Sequence, residues 1–267
     1  MNDVNYVLLD PTGNLTCLVL DRVPEEERPR VTARLMACCE QVGYLTAPAD
    51  PRARAGLRMM GGEFCGNASM ATAVYLASRA GQREARMLLE VSGAESLVEC
   101  EAKRTPEGWQ GRVEMPLPRG MESIRLEGRD LTAVHFPGMT HLILAESGMP
   151  RPDAEALMRA AAAELDAPAI GLLQWEEKAG GMTPLVFVRE SSTLVWETAC
   201  GSGSCAIACW KAARAGHSVR VRVAQPGGTL LAEADWQQTW RKVWLTGHVR
   251  INMGALSGKP SGAGLWR

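Results

Sequence analysis

Several absences narrow this sequence before any motif does. Neither charge is in excess: 29 Lys and Arg stand against 30 Asp and Glu, a formal net charge of -1. Nucleic acid and anionic membrane surfaces are therefore not expected as partners. No run of about 18 apolar residues exists, so no membrane-spanning segment is expected. The opening stretch MNDVNYVLLDPTGN lacks the basic, then apolar, then small-residue order of a secretory leader, and a cytoplasmic protein is expected. The eight cysteines include no C-x-x-C pair and do not resemble a secreted disulfide framework. Cys200, Cys205 and Cys209 lie close in sequence, but no neighbouring histidine completes a zinc set, so no metal site is expected.

What is present is a globular composition and a repeat. At 267 residues, 46% hydrophobic and 22% charged, the chain has material for one large or two medium domains. Segment 65–81, CGNASMATAVYLASRAG, aligns without a gap to segment 200–216, CGSGSCAIACWKAARAG, at an offset of 135. Cys65 meets Cys200, Gly66 meets Gly201, Ser69 meets Ser204 and Gly81 meets Gly216. Strand-like runs follow each segment, at 85–93 and 219–228, then at 111–117 and 243–251. Upstream, GNLTCLVLD at 13–21 matches GMTHLILAE at 138–146, at an offset of 125.

Apolar spacing predicts helices over 23–43 and 151–168 in corresponding places. The fold class expected is α+β: two pseudo-symmetric domains, each a barrel-like β-sheet wrapped around a central α-helix. The expected boundaries are 1–120, carrying Cys65 and joined by 253–267, and 121–252, carrying Cys200, with 118–130 as the junction.

Each Cys-Gly pair opens a helix. There the first backbone N–H groups have no intrahelical acceptor, and the helix dipole favours negative charge. Such an end binds a carboxylate and lowers a thiol pKa. If the halves face one another, two cysteines and two sets of N–H donors meet in one cleft. An α-amino acid suits that arrangement. The amides hold its carboxylate more strongly as the α-carbon loses its proton. One cysteine, as thiolate, removes that proton, and the other, as thiol, returns one on the opposite face. Neither a metal nor a pyridoxal cofactor is required. The other six cysteines are expected to be inert core residues.

These residues resemble the diaminopimelate epimerase superfamily. ETACGSGSCA at 197–206 is similar to its second cysteine motif and FCGNAS at 64–69 to its first. GN at 13–14, VGY at 42–44 and QPGGTLLAE at 225–233 fall in family order. The resemblance spans essentially the whole chain. It implies two pseudo-symmetric domains and a cofactor-independent amino-acid racemase or epimerase, with Cys65 and Cys200 as the acid/base pair. Gly66, Asn67, Gly201 and Ser202 would bind the substrate carboxylate, and Asn14 would line the site. It is also compatible with a homodimer.

The departures concern substrate. Diaminopimelate epimerases read the distal amino-acid end with loop asparagines and a Glu-Arg pair. Here Met139 and about Ala169 stand at two of those asparagine positions, and no Glu-Arg pair precedes the second motif. Losing so many partners at once speaks against diaminopimelate. The loop GGEFCGN is more similar to the histidine racemase branch, which supplies D-histidine for opine-type metallophores. There Glu63 is the candidate for the substrate amine or imidazole, and His141 for a further substrate contact or a structural role. Diaminopimelate epimerase, a proline or hydroxyproline racemase-like enzyme, and a non-catalytic amino-acid binding protein stand as alternatives. The Cys-Gly-His signature of the proline racemases is absent, because Asn67 follows Gly66.

Overall fold

The computed structural model describes residues 4–145 and 148–252, so the stretch 253–267 expected to rejoin the first domain lies outside the described residues. Within them the chain forms sixteen strands and four α-helices. It divides into two compact units. One holds residues 4–11, 15–111 and 249–252; the other holds 12–14, 112–145 and 148–248.

The first unit begins with an antiparallel pair, β1 (Tyr6–Pro11) and β2 (Thr16–Val19). A 3₁₀ turn at Glu25–Glu27 leads into α1 (Arg28–Leu35), after which β3 (Gln41–Thr46) runs parallel to β2. The helix expected over 23–43 is thus trimmed at both ends. Pro24, with no N–H for a helical ladder, sits ahead of the 3₁₀ turn. At the other end Val42, Tyr44 and Leu45 are buried in the sheet, where β-branched and aromatic side chains pack well. Tertiary burial overrides the local periodicity there. β4 (Ala55–Met59) pairs with β3, α2 (Gly66–Arg79) crosses over, and β5 (Glu84–Val91) returns parallel to β4. β6 (Val98–Thr105) and β7 (Gly108–Met115) follow.

The second unit repeats that plan. β8 (Gly120–Leu126) and β9 (Arg129–Phe136) occupy the stretch expected as a junction. β10 (Met139–Leu144), α3 (Arg151–Glu164) and β11 (Ala169–Glu176) form the second parallel crossover. β12 (Gly181–Val188) carries the short β13 (Thr193–Trp196) on its edge. Then α4 (Gly201–Ala215) precedes β14 (Val219–Gln225), β15 (Gly228–Trp236) and β16 (Trp240–Asn252). In the first unit the strands are ordered β1 to β7 and then β16, which pairs back onto β1 from Leu8↔Asn252 to Pro11↔Val249. That closure makes an eight-stranded barrel with no free edge. In the second the order runs β16-β15-β14-β12-β11-β10-β9-β8.

Each unit holds one helix that is apolar nearly all round. α2 buries Ala68, Met70, Ala71, Ala73, Val74 and Ala77 and packs on β5 and β6. α4 buries Cys205, Ala206, Ile207, Ala208, Cys209 and Ala212 and packs on β14 and β15. A helix buried on every side belongs inside a sheet rather than on it. Small side chains let strands approach from several directions, which explains the Ala-rich composition of both segments. Gly216 ends α4 in the left-handed conformation at φ 70°, a common helix stop. No helix among the described residues is long and apolar enough to cross a membrane.

Candidate active site

Both cysteines of the repeat are N-cap residues, each with an extended backbone conformation. Cys65 caps α2 and its sulfur accepts the Ala68 N–H at 3.4 Å. Cys200 caps α4 and its sulfur accepts the Gly203 N–H, also at 3.4 Å. Each backbone carbonyl is held by the equivalent serine: Ser69 Oγ donates to the Cys65 oxygen at 2.7 Å and Ser204 Oγ to the Cys200 oxygen at 2.8 Å. The repeat therefore extends to the hydrogen bonds that aim the two thiols.

Gly203 has a specific reason to be glycine. A Cβ there would lie 2.8 Å from Leu173 Cδ2 and 3.2 Å from the Cys200 sulfur. Its absence lets the first turn of α4 close on the thiol. Gly66 and Gly201 are the first residues of the two helices, with Asn67 and Ser202 next. All four lie in the first turn of a helix, where backbone N–H groups have no intrahelical acceptor.

The side-chain supports differ between the units. In the first, the Cys65 thiol donates to Gln41 Oε1 at 3.2 Å, and Gln41 Nε2 donates to Thr16 Oγ1 at 2.7 Å. In the second, Cys200 Sγ lies 3.6 Å from Ser202 Oγ, which lies 2.9 Å from His141 Nε2. Thr16 and His141 are equivalent in the repeat. Thr16 faces Gln41 across β2 and β3, and His141 faces Gly171 across β10 and β11. A Cβ on Gly171 would fall 2.3 Å from His141 Nδ1, so the ring lies over the bare glycine. One unit supports its cysteine with a long amide on β3, the other with an imidazole on β10.

The electrostatics of the second unit are also distinct. Cys200 is 4% exposed, and its pKa is raised well above the ordinary thiol value by burial, then by the Glu197 charge and its hydrogen bond. The Cys200 N–H donates to Gln225 Oε1 at 2.7 Å, and Gln225 Nε2 donates to Ser204 Oγ at 3.0 Å, which fixes the cysteine backbone. Burial lowers the pKa of His141, fully enclosed at 0% exposure, to about 3, so its imidazole is neutral. Cys205 and Cys209 fit the inert reading: burial pushes the first far above the thiol range and the second to about 12.

Asn14 belongs with Thr12 and Gly13 to the second unit, although Pro11 and Leu15 on either side of that segment belong to the first. Its neighbour Gly13 accepts the Thr198 hydroxyl at 2.7 Å, two residues ahead of Cys200, and packs against Gly227. Glu63 is exposed on the loop before Cys65, with its backbone oxygen accepting the Ser92 hydroxyl at 2.9 Å. Gln41, Glu197 and Gln225 were not singled out from sequence. Glu197 and Gln225 did stand inside the quoted family motifs, and that was their signal.

Solved structures share this fold. A predicted epimerase from Pseudomonas aeruginosa matches with a TM-score of 0.70 at 16% identity, over 97% of this chain and 100% of that one. A hydroxyproline epimerase from Agrobacterium vitis matches with a TM-score of 0.65 at 15% identity, over 93% and 90%. The fold is thus the two-domain α+β class in which these isomerases occur. The chain belongs to the family described as the histidine racemase CntK N-terminal domain, whose model matches residues 3–255. The histidine racemase of Staphylococcus aureus is 28% identical over 244 residues, 85% of this chain and 87% of that protein. A histidine racemase of Fusobacterium nucleatum is 25% identical over 239 residues, 85% and 87%. The protein is an isomerase of the racemase type.

Proposed function

We propose that this protein inverts the α-carbon of free histidine, with Cys65 and Cys200 as its two acid/base groups and no cofactor. The observation that carries the reading is the paired N-cap geometry: equivalent cysteines whose sulfurs each accept an N–H at 3.4 Å from the first turn of a buried helix. The named substrate of the relatives favours histidine. So does Met139, which takes an asparagine position and accepts the Ser202 hydroxyl on its sulfur at 3.6 Å.

In this reading a thiolate removes the α-proton and becomes a thiol. The electron pair passes into the carboxylate, where the N–H groups of Gly66, Asn67, Gly201 and Ser202 bind the growing charge. The opposite thiol protonates the other face and becomes the thiolate. Cys200 is the thiol at rest, since burial and Glu197 both oppose its ionisation. Asn14 orients the substrate, and Glu63 meets its amine or imidazole. The same reading makes the partner a small amino acid and the compartment the cytoplasm, where thiols stay reduced; no disulfide joins the cysteines among the described residues.

The test is α-proton exchange in deuterium oxide, followed by NMR over a panel of amino acids without added cofactor. Exchange into histidine, with racemisation lost in Cys65→Ala and Cys200→Ala, is the expected result. Exchange into another amino acid only would overturn the substrate. Full activity in either cysteine variant would overturn the two-base scheme.

A further inference from the structure

Away from the N-cap cysteines, the first unit brings three more thiols together. Cys17 lies on β2, and Cys38 and Cys39 lie in the turn between α1 and β3. Their sulfurs all lie within 4.8 Å of one another, with Cys17 and Cys38 at 3.8 Å. We propose that Cys17, Cys38 and Cys39 form a binding site for one thiophilic cation of the zinc(II) type. This inference is independent of the racemase reading.

The spacing suits a metal. With a zinc–sulfur bond of about 2.3 Å, two thiolates on one tetrahedral ion sit roughly 3.8 Å apart. The sulfurs need only small rotations to share an ion, whereas a disulfide requires an approach to about 2.05 Å. Burial is graded as an entry path requires: Cys17 and Cys39 are buried and Cys38 is exposed. Two buried thiols, one exposed thiol and a side open to water match a three-ligand zinc site with solvent in the fourth position.

The surroundings favour a cation as well. Cys38 and Cys39 both donate to the Leu35 carbonyl oxygen, at 3.1 and 3.2 Å, at the C-terminal end of α1. That end carries partial negative charge, which attracts cations. The backbone N–H groups of Cys17 and Gln41 hydrogen-bond the Cys39 sulfur. Such N–H donors to a ligating sulfur orient it and tune its basicity. Three thiolates around a divalent ion leave one net negative charge, and around a monovalent ion two. In a partly buried site the divalent ion is the better match. Loading sends the thiol protons to solvent, so affinity must rise with pH.

The probe is cobalt(II), a coloured substitute for zinc, titrated into the full chain under a phosphine reductant. A Cys65→Ser/Cys200→Ser background removes the half-buried Cys65 thiol and the buried Cys200 thiol from competition. The expected result is one equivalent of cobalt with an intense, thiolate-rich tetrahedral spectrum, displaced by zinc. Cys38→Ser, on the exposed rim and safe for folding, should weaken binding more than about tenfold. Zinc should raise Tm in the unsubstituted chain and much less in Cys38→Ser. Cobalt binding unchanged by both Cys38→Ser and Cys39→Ser overturns the site. So does the absence of stoichiometric binding in that background. Uptake of copper(I) with exclusion of cobalt and zinc overturns the choice of ion.

Discussion

His141 Nε2 stands 2.9 Å from the hydroxyl of Ser202, and the other ring nitrogen, buried, has no hydrogen-bond partner among the described residues. That pairing fixes the tautomer. A buried unpaired N–H is costlier than an unpaired lone pair, so the proton sits on Nε2 and is donated to Ser202. The hydroxyl proton of Ser202 is then left for the two sulfurs within reach, Met139 Sδ and Cys200 Sγ, each 3.6 Å away. His141 is thus a positioning residue for the thiol through Ser202.

A double-mutant cycle tests this. His141→Leu and Ser202→Ala should each lower kcat roughly tenfold, about 1.4 kcal/mol, on the scale of one hydrogen bond to a charged group. Because both cut one chain, the double variant should lose little more than either alone. Additive losses would show that the two act separately. Circular dichroism checks that the fold survives.

Acid stability gives an independent reading of the same histidine. Its folded pKa is lowered to about 3 by burial, whereas the unfolded chain protonates it near the ordinary value of 6.5. The unfolded state therefore binds the extra proton first as pH falls. Stability from this group is complete above pH 6.5 and is lost on going down toward 3, by up to about 1.4 kcal/mol per pH unit. Denaturant midpoints between pH 7 and 4 should fall less steeply in His141→Gln than in the parent. Equal slopes would place the acid sensitivity elsewhere.

Much of this was legible in the sequence, and the rest was hidden for physical reasons. The gapless Cys-Gly repeat located both helix starts, because N-capping and Gly-Ala helix packing are local. The end of α1 was missed because Val42 satisfies helical spacing yet gains more from burial in β3. Gln41 and His141 could not be paired with their cysteines, since parallel crossovers bring together residues many positions apart. The thiol cluster escaped for the same reason: Cys17 joins Cys38 and Cys39 only when β3 lies beside β2.

Glu197 makes a separate prediction about Cys200. Its carboxylate is the main charged influence holding the thiol protonated, after burial itself. Glu197→Gln removes the negative charge, so thiolate forms at lower pH. Alkylation of Cys200 by iodoacetamide, followed by mass spectrometry of its peptide, should move its half-reaction pH downward. A move upward or no move would show that burial alone sets the value. The buried wall remains in the variant, so some elevation should persist.

Gln41 tests the other cysteine, and here the reaction imposes its own constraint. Gln41 accepts the Cys65 thiol and donates to Thr16, so Gln41→Leu breaks both bonds without changing the backbone of β3. Turnover should fall by roughly tenfold, the worth of one or two hydrogen bonds. Two enantiomers have equal free energy, so the equilibrium constant between them is one. The variant must therefore lose kcat/KM equally from the L and D sides, whichever proton transfer it slows. Individual kcat and KM values are free to diverge, and they should, because Cys65 serves as base in one direction and acid in the other. Circular dichroism progress curves from each pure enantiomer measure all four constants. Unequal kcat/KM losses would signal a faulty assay, whereas equal losses with unchanged activity at saturation would show that Gln41 aids binding and not proton transfer.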